Sequence, residues 1–78
     1  MYSATIQLNT FENAKQFVQI CSEQNFNIEV SAANVVVHAK SIIGVLSMDL
    51  TEPMQLTVKK GDTAAVEQFI ARIAPFVV

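Results

Sequence analysis

Residues 35–58 read VVVHAKSIIGVLSMDLTEPMQLTV, and their pattern is the most informative about the fold. At both of its ends every second residue is apolar, which is the pattern of a strand with one buried face. The residues assigned to these buried faces are Val35, Val37, Ala39, Met54, Leu56 and Val58. The segment between them, from Ser41 to about Met48, is short and apolar nearly all round. We expect a short helix there, although Ile42, Ile43 and Val45 would also suit a strand.

Two more strands precede this stretch. One has its apolar set at Tyr2, Ala4, Ile6 and Leu8, and the other has Phe26, Ile28 and Val30. Each strand also has a polar face, so the four together predict an antiparallel sheet with one side in water. Residues 31–34 predict a hairpin turn between the second and third strands, and residues 51–53 lead into the fourth.

Two longer helices complete the pattern. Their apolar stripes are Phe11, Ala14, Phe17, Val18 and Cys21 in the first and Val66, Phe69, Ile70 and Ile73 in the second. Asn9 and Glu12 predict a capping box for the first, and residues 61–63 and Pro75 bound the second. The predicted order is β-α-β-β-α-β-α. Residues 1–78 therefore form one α+β domain, an open-faced sandwich with all three helices on one face of the sheet.

Composition excludes several classes of function. The chain has 78 residues, a net charge of −2, and five scattered basic residues, so no basic face for nucleic acid is expected. No apolar run approaches the ~20 residues of a membrane span, and the first residues lack a signal-peptide pattern. One cysteine, Cys21, cannot form an internal disulfide. We expect a cytoplasmic protein that binds neither nucleic acid nor membrane.

The segment Ala39-Lys40-Ser41-Ile42-Ile43-Gly44-Val45-Leu46-Ser47-Met48-Asp49-Leu50 resembles, nearly residue for residue, the region around the regulatory serine of the HPr family. These are the small phosphocarrier proteins of the bacterial sugar phosphotransferase system. Ala14-Lys15-Gln16-Phe17-Val18 is a weaker match to the family's first helix. The order of elements is also that of the family. The resemblance implies phosphorylation at Ser41 and partner docking on the helix that Ser41 opens.

One part of the family pattern is missing. The family carries Gly-Leu-His-x-Arg-Pro-Ala between its first strand and first helix, where the histidine takes phosphate from enzyme I. The connection here is Asn9-Thr10-Phe11-Glu12-Asn13, with no His, Arg or Pro. Glu12 would repel a phosphate. We therefore expect neither a phosphohistidine site in this loop nor an enzymatic activity.

Ser41 and the short helix are the strongest candidates for function. Ser41 is also a residue type that simply caps helices, and both roles can hold together. If Val45 and Met48 face the sheet, then Ile42, Ile43 and Leu46 share an outward stripe. Such a stripe indicates a protein-binding surface unless neighbouring loops cover it.

His38 and Cys21 are weaker candidates. His38 should lie on the open face of the sheet with Lys40 on the same side, as an ordinary surface histidine or an unorthodox phosphorylation site. Cys21 falls on the apolar stripe of the first helix and should behave as a small buried hydrophobe. No cofactor motif or metal-ligand set is present.

Three functions remain open. The first is a non-catalytic regulatory protein that binds protein partners, such as a serine kinase or a transcriptional regulator of carbon catabolite control, through the Ser41 helix. The resemblance supports it, because the family has histidine-lacking members that act through the phosphorylated serine. The second is a phosphocarrier that uses an unorthodox residue such as His38. The third is a structural module, and self-association is compatible with all three.

Overall fold

The computed structural model describes residues 2–78, and the predicted order of elements is confirmed. The strands are β1 (Tyr2–Ile6), β2 (Ile28–Ala32), β3 (Val35–His38) and β4 (Met54–Val58). The helices are α1 (Phe11–Ser22), α2 (Ile42–Leu46) and α3 (Thr63–Ile73). A single 3-10 turn, Ala74–Phe76, follows α3. The ambiguous middle segment is therefore a helix, which ends at Leu46 rather than near Met48.

The four strands form one antiparallel sheet in the order β1-β4-β2-β3. β4 lies between β1 and β2: Leu56 pairs with Ala4 on one side and with Val30 on the other. β2 and β3 form a hairpin, which brings Ala32 opposite Val35. The two turn residues between them have φ angles of 50° and 69°. Both angles are left-handed, as the tight turn that matches the twist of a hairpin requires.

The apolar core lies between the sheet and the helices, on the side that the alternation predicts. Its largest fully buried side chains are Phe17, Phe69, Ile6, Leu8, Ile28, Met54, Leu56 and Ile73. Phe26 meets Phe69 edge to face, with ring centroids 5.6 Å apart. The core therefore fixes the helices on one face of the sheet and leaves the other face, with mostly polar side chains, exposed.

The start of α1 differs by one residue from the prediction. Thr10, not Asn9, is the capping residue, and its hydroxyl accepts the backbone N–H of Asn13 at 3.1 Å. Asn9 instead has a φ of 70°, a left-handed conformation that asparagine tolerates better than most residues. The predicted capping box of Asn9 and Glu12 is therefore wrong. The start of α3 is as expected, with Asp62 accepting from Ala65 N–H.

The segment after α3 returns to the sheet and covers the outer edge of β1. Gln7 N–H donates to the carbonyl of Phe76 at 2.8 Å, and Val78 N–H donates to the carbonyl of Thr5 at 3.0 Å. The Phe76 side chain is buried, and its ring meets Phe17 edge to face at 5.9 Å. This contact does not follow from the local sequence pattern, and it removes one of the two exposed edges of the sheet.

Candidate functional site

Ser41 opens α2 and is exposed at its start. Its side-chain oxygen accepts the backbone N–H of Gly44 at 3.1 Å, which is the hydrogen bond of a helix N-cap. Its own N–H donates to the carbonyl of His38 at 3.0 Å. The predicted capping role of Ser41 is confirmed. The hydroxyl is reachable from solvent, and it also holds the first turn of a helix only five residues long.

The face of α2 that points away from the sheet is apolar. Ile43 is 81% exposed and Ile42 is 38% exposed, whereas Val45 is fully buried against the core. One exposed isoleucine is common on a protein surface, whereas adjoining exposed apolar side chains indicate a contact surface. Ile42 and Ile43 therefore form an exposed apolar patch directly after Ser41, which we call the α2 patch.

Leu46 does not belong to the α2 patch. It is half-buried and packs against the core, so the prediction that it shares an outward stripe with Ile42 and Ile43 is wrong. The helix contacts both β3 and α1. Met48 is partly buried beside the core, as expected.

The loop between β1 and α1, where the HPr resemblance would place the phosphohistidine, lies near the end of the α2 region. Asn9 N–H donates to the carbonyl of Leu50 at 2.7 Å, which joins this loop to the segment after α2. The residues around the start of α1 are Thr10, Phe11 and Glu12, and none can form a phosphohistidine. Glu12 adds a negative charge to the first turn of the helix.

Phe11 is a surface residue that the sequence analysis placed on the buried stripe of α1. It is 53% exposed, and the Lys15 ammonium lies over its ring, 5.4 Å from the centroid. That prediction is wrong because Phe11 is the first residue of α1, where the apolar stripe starts beyond the edge of the core. A second exposed apolar group therefore lies at the start of α1, the helix that contacts α2.

His38 lies on the open face of the sheet, exposed, and opposite Glu29 in the register of β2 and β3. Lys40 does not join it there. The Lys40 ammonium donates to the carbonyl of Gln24 at 2.8 Å, at the far end of α1, so the predicted grouping of Lys40 with His38 is wrong. The residue opposite His38 in the register is a carboxylate, Glu29, which is paired with the Lys59 ammonium at 3.6 Å. The charges around His38 are therefore balanced and do not form the concentrated positive site that holds a phosphoryl group.

Cys21 is fully buried on the inner face of α1, as predicted. Burial raises the pKa of its thiol to about 12, against an opposing attraction from Lys40. A thiol with so high a pKa stays protonated at neutral pH and is a poor nucleophile. Cys21 is therefore part of the core and not of a reactive site.

Two classes of feature are absent from residues 2–78. No group of three His, Cys, Asp or Glu side chains comes together in a way that could hold a metal ion. None of the helices formed by these residues has both the length and the apolar character needed to cross a bilayer.

Comparison with known proteins gives a consistent result. A family model described as the PTS HPr component phosphorylation site matches residues 11–77. The crystal structure of HPr-C-His from Thermoanaerobacter tengcongensis is similar at a TM-score of 0.78 and 26% identity, covering 99% of this chain and 91% of that one. A phosphocarrier protein HPr from Bacillus anthracis shares the fold at a TM-score of 0.68 and 23% identity, covering 91% and 94% of the two chains. No curated protein matches the chain.

Proposed function

Because this chain belongs to the HPr family of the sugar phosphotransferase system, whose model matches residues 11–77, we propose that it is a non-catalytic member that binds protein partners through α2. The observation that carries the proposal is the 81% exposure of Ile43, next to Ile42 and immediately after an exposed Ser41. Protein-binding surfaces commonly have an apolar centre, which the partner buries on binding, surrounded by a polar rim.

Ser41 is the proposed point of control. Its oxygen bonds the first turn of α2, and the side chains of the α2 patch follow directly. A phosphate there adds about −1.5 to −2 charge beside two isoleucines and brings three further acceptor oxygens. A partner with an arginine next to an apolar pocket would then gain a charge-assisted hydrogen bond. Phosphorylation would therefore select which partner binds the α2 patch.

The partners that this chemistry fits are a serine kinase that modifies HPr proteins and a transcriptional regulator of carbon catabolite control. The regulator would bind the phosphorylated form, and the kinase would bind the unmodified form. A phosphocarrier role at His38 has less support, because Lys40 is turned to Gln24, and Lys59 is paired with Glu29, the residue opposite His38. A purely structural role does not account for the exposed pair of isoleucines.

The experiment is a binding and labelling comparison among three proteins. The wild type is treated with an HPr serine kinase and labelled ATP, then titrated with the catabolite regulator from the same kind of cell. We expect label at Ser41 and weaker binding for Ile43→Asp. Val78→Asp is the matched control, because Val78 is 69% exposed but lies beside β1, at the opposite edge of the sheet from β3. Equal binding by all three proteins, with no label, would contradict the proposal.

A further inference from the structure

β3 is an edge strand whose outer side has no neighbouring strand among residues 2–78. Ala39 N–H donates inward to the carbonyl of Ile28 at 2.9 Å. In an antiparallel pair the inward and outward backbone groups alternate, so the N–H groups of Val36 and His38 point outward. The His38 carbonyl is used by Ser41. Val36 therefore presents both its N–H and its carbonyl to the free edge.

The side chains of β3 do not protect this edge. Val35 is 49% exposed on the helix side, and Val36 is 61% exposed on the open side. Natural edge strands are commonly protected by a lysine, a proline, a bulge or a covering segment, because an unprotected edge pairs with another strand. The other edge of this sheet is covered by residues 76–78, whereas β3 has the sequence Val-Val-Val-His and no cover within the described residues.

The charges around β3 differ between its two ends. Beside Val35, at the start of the strand, Asp49 and Glu52 line a depression of about 220 Å³ with an otherwise mostly apolar wall. After the end of the strand comes Lys40, which is exposed and whose ammonium donates to the carbonyl of Gln24. Glu29, opposite His38 at the same end, is paired with Lys59, so this end keeps a net positive charge. If β3 of a second copy pairs with this strand in the antiparallel direction, the end of each β3 lies beside the start of the other. The acidic end of each copy then meets the basic end of its partner.

We propose that the free edge of β3 pairs with β3 of a second copy of this chain, antiparallel about a two-fold axis at Val36. Two such edges form a single eight-stranded sheet with an isologous contact. At the axis, Val36 exchanges two backbone hydrogen bonds with Val36 of the partner subunit. Val35 packs against Val37 of the partner subunit on the helix side. The inference does not depend on the α2 patch or on Ser41.

The contact is small, because it joins two four-residue strands, so we expect a dissociation constant between about 10 μM and 1 mM. Sedimentation equilibrium up to about 1 mM protein, the range of such contacts, should show the mass rising from one chain to two. Hydrogen exchange should slow with concentration at the Val36 amide, which is outward and unpaired in the single chain. The Val37 amide, already bonded to β2, serves as the internal reference.

Val36→Lys is the test variant, because it places two ammonium groups opposite each other at the axis. It should remain a single chain throughout this range. Ser3→Lys is the matched control: it adds the same charge to an exposed strand position on β1, at the other side of the sheet, and should dimerise like the wild type. A circular dichroism spectrum and a melting curve confirm that both variants fold.

The charge arrangement has its own test. Glu52→Lys should weaken dimerisation, and Glu52→Lys combined with Lys40→Glu in the same chain should restore it. A wild type that stays monomeric at the highest concentration overturns the proposal and leaves the edge for a strand of another protein. Dimerisation of Val36→Lys with wild-type affinity, or concentration-independent exchange at Val36, overturns it equally.

Discussion

Gly44 of α2 lies so close to Val37 of β3 that a methyl group on Gly44 would stand 3.3 Å from the Val37 Cβ. The same carbon would be 3.2 Å from the side-chain oxygen of Ser41. The absence of a side chain at Gly44 therefore seats the short helix on the strand and leaves room for the Ser41 cap. In this orientation of α2 on β3, Val45 is buried and Ile43 is exposed.

Gly44→Val should separate α2 from β3. The three carbon atoms that valine adds in a contact this tight force the strand or the helix to move, which costs typically 1–3 kcal/mol. We expect the free energy of unfolding, measured by urea denaturation, to fall by about that amount. Ile43→Val is the control, because it makes a small change at the neighbouring exposed position and should stay within about 0.5 kcal/mol of wild type. Equal stability of the two variants would contradict the close seating of α2.

Ser41→Ala and Ser41→Asp test whether the side chain at residue 41 stabilises the start of α2 as a helix cap. Alanine removes the acceptor of the Gly44 N–H and should cost about 1 kcal/mol of stability. Aspartate supplies an equivalent acceptor and should keep the stability near that of wild type. Urea denaturation measures both. If both variants lose stability equally, the hydrogen bond from Gly44 to residue 41 is not what stabilises the start of α2.

Cys21 should be unreactive in the folded protein and reactive after unfolding. We expect an aromatic disulfide reagent to label the thiol rapidly in urea at pH 8 but only slowly without it. Cys21→Ser places a hydroxyl in the core and should cost roughly 1–3 kcal/mol. Cys21→Ala, which buries no polar group, is the control for lost volume. Rapid labelling of the folded wild type would contradict the burial of Cys21.

The same thiol should make the fold sensitive to alkali. The folded pKa is about 12, above the ordinary value of 9.0. Its contribution is therefore fully present below pH 9 and is lost as the pH rises from 9 towards 12, because only the unfolded chain releases the proton readily. Between pH 9 and pH 12, the free energy of unfolding measured by urea denaturation should fall more steeply with pH for wild type than for Cys21→Ala. Parallel pH profiles would contradict the elevated pKa.

Protonation of Asp49 should lower the stability of the fold in acid. The Thr51 hydroxyl donates to its carboxylate at 2.6 Å and the Thr51 N–H at 3.0 Å, and these bonds hold the pKa of Asp49 below its usual value. The contribution is present above the unfolded pKa and is lost as the pH falls through the folded one, from about pH 4 downward. Asp49→Asn should flatten the pH dependence of unfolding in that range. An unchanged slope would contradict the assignment.

Phosphoryl transfer from phosphoenolpyruvate through enzyme I should not label this chain. The loop before α1 offers Thr10, Phe11 and Glu12 in place of a histidine and an arginine, and His38 lies opposite Glu29, which is paired with Lys59. Incubation with enzyme I and labelled phosphoenolpyruvate is the measurement, with an HPr protein that has the histidine as positive control. Acid-labile label that disappears in His38→Ala would instead support the unorthodox phosphocarrier.

The sequence predicted the elements of the fold well because each has a strong local period. The alternation at Met54, Leu56 and Val58 and the helical stripe through Phe69 and Ile73 depend only on which face is buried. Features that depend on the neighbours of an element were missed. Leu46 is half-buried beside the core, and Phe76 is buried because the chain folds back onto β1. Neither partner can be read from the local pattern.

The candidate site was predicted only as far as local chemistry reaches. Ser41 as a cap and Ile43 as an exposed side chain both follow from positions within one short helix. The exposure of Phe11 depends on where the core ends, and the hydrogen bond from Lys40 to Gln24 depends on where the chain runs after α1. The left-handed backbone of Asn9 moved the cap to Thr10 by one residue, a conformation that the residue type permits but does not demand.

The strand order β1-β4-β2-β3 has a consequence for synthesis on the ribosome. β4 is the neighbour of both β1 and β2, yet it is made only at residues 54–58. At ~5–20 residues per second, β1 waits several seconds after its own synthesis for the strand that it pairs with. Until then the apolar side of Tyr2–Ile6 has no sheet to join. The nascent chain therefore cannot close its sheet until β4 has left the exit tunnel, and chaperones that shield emerging strands have their main opportunity before that moment.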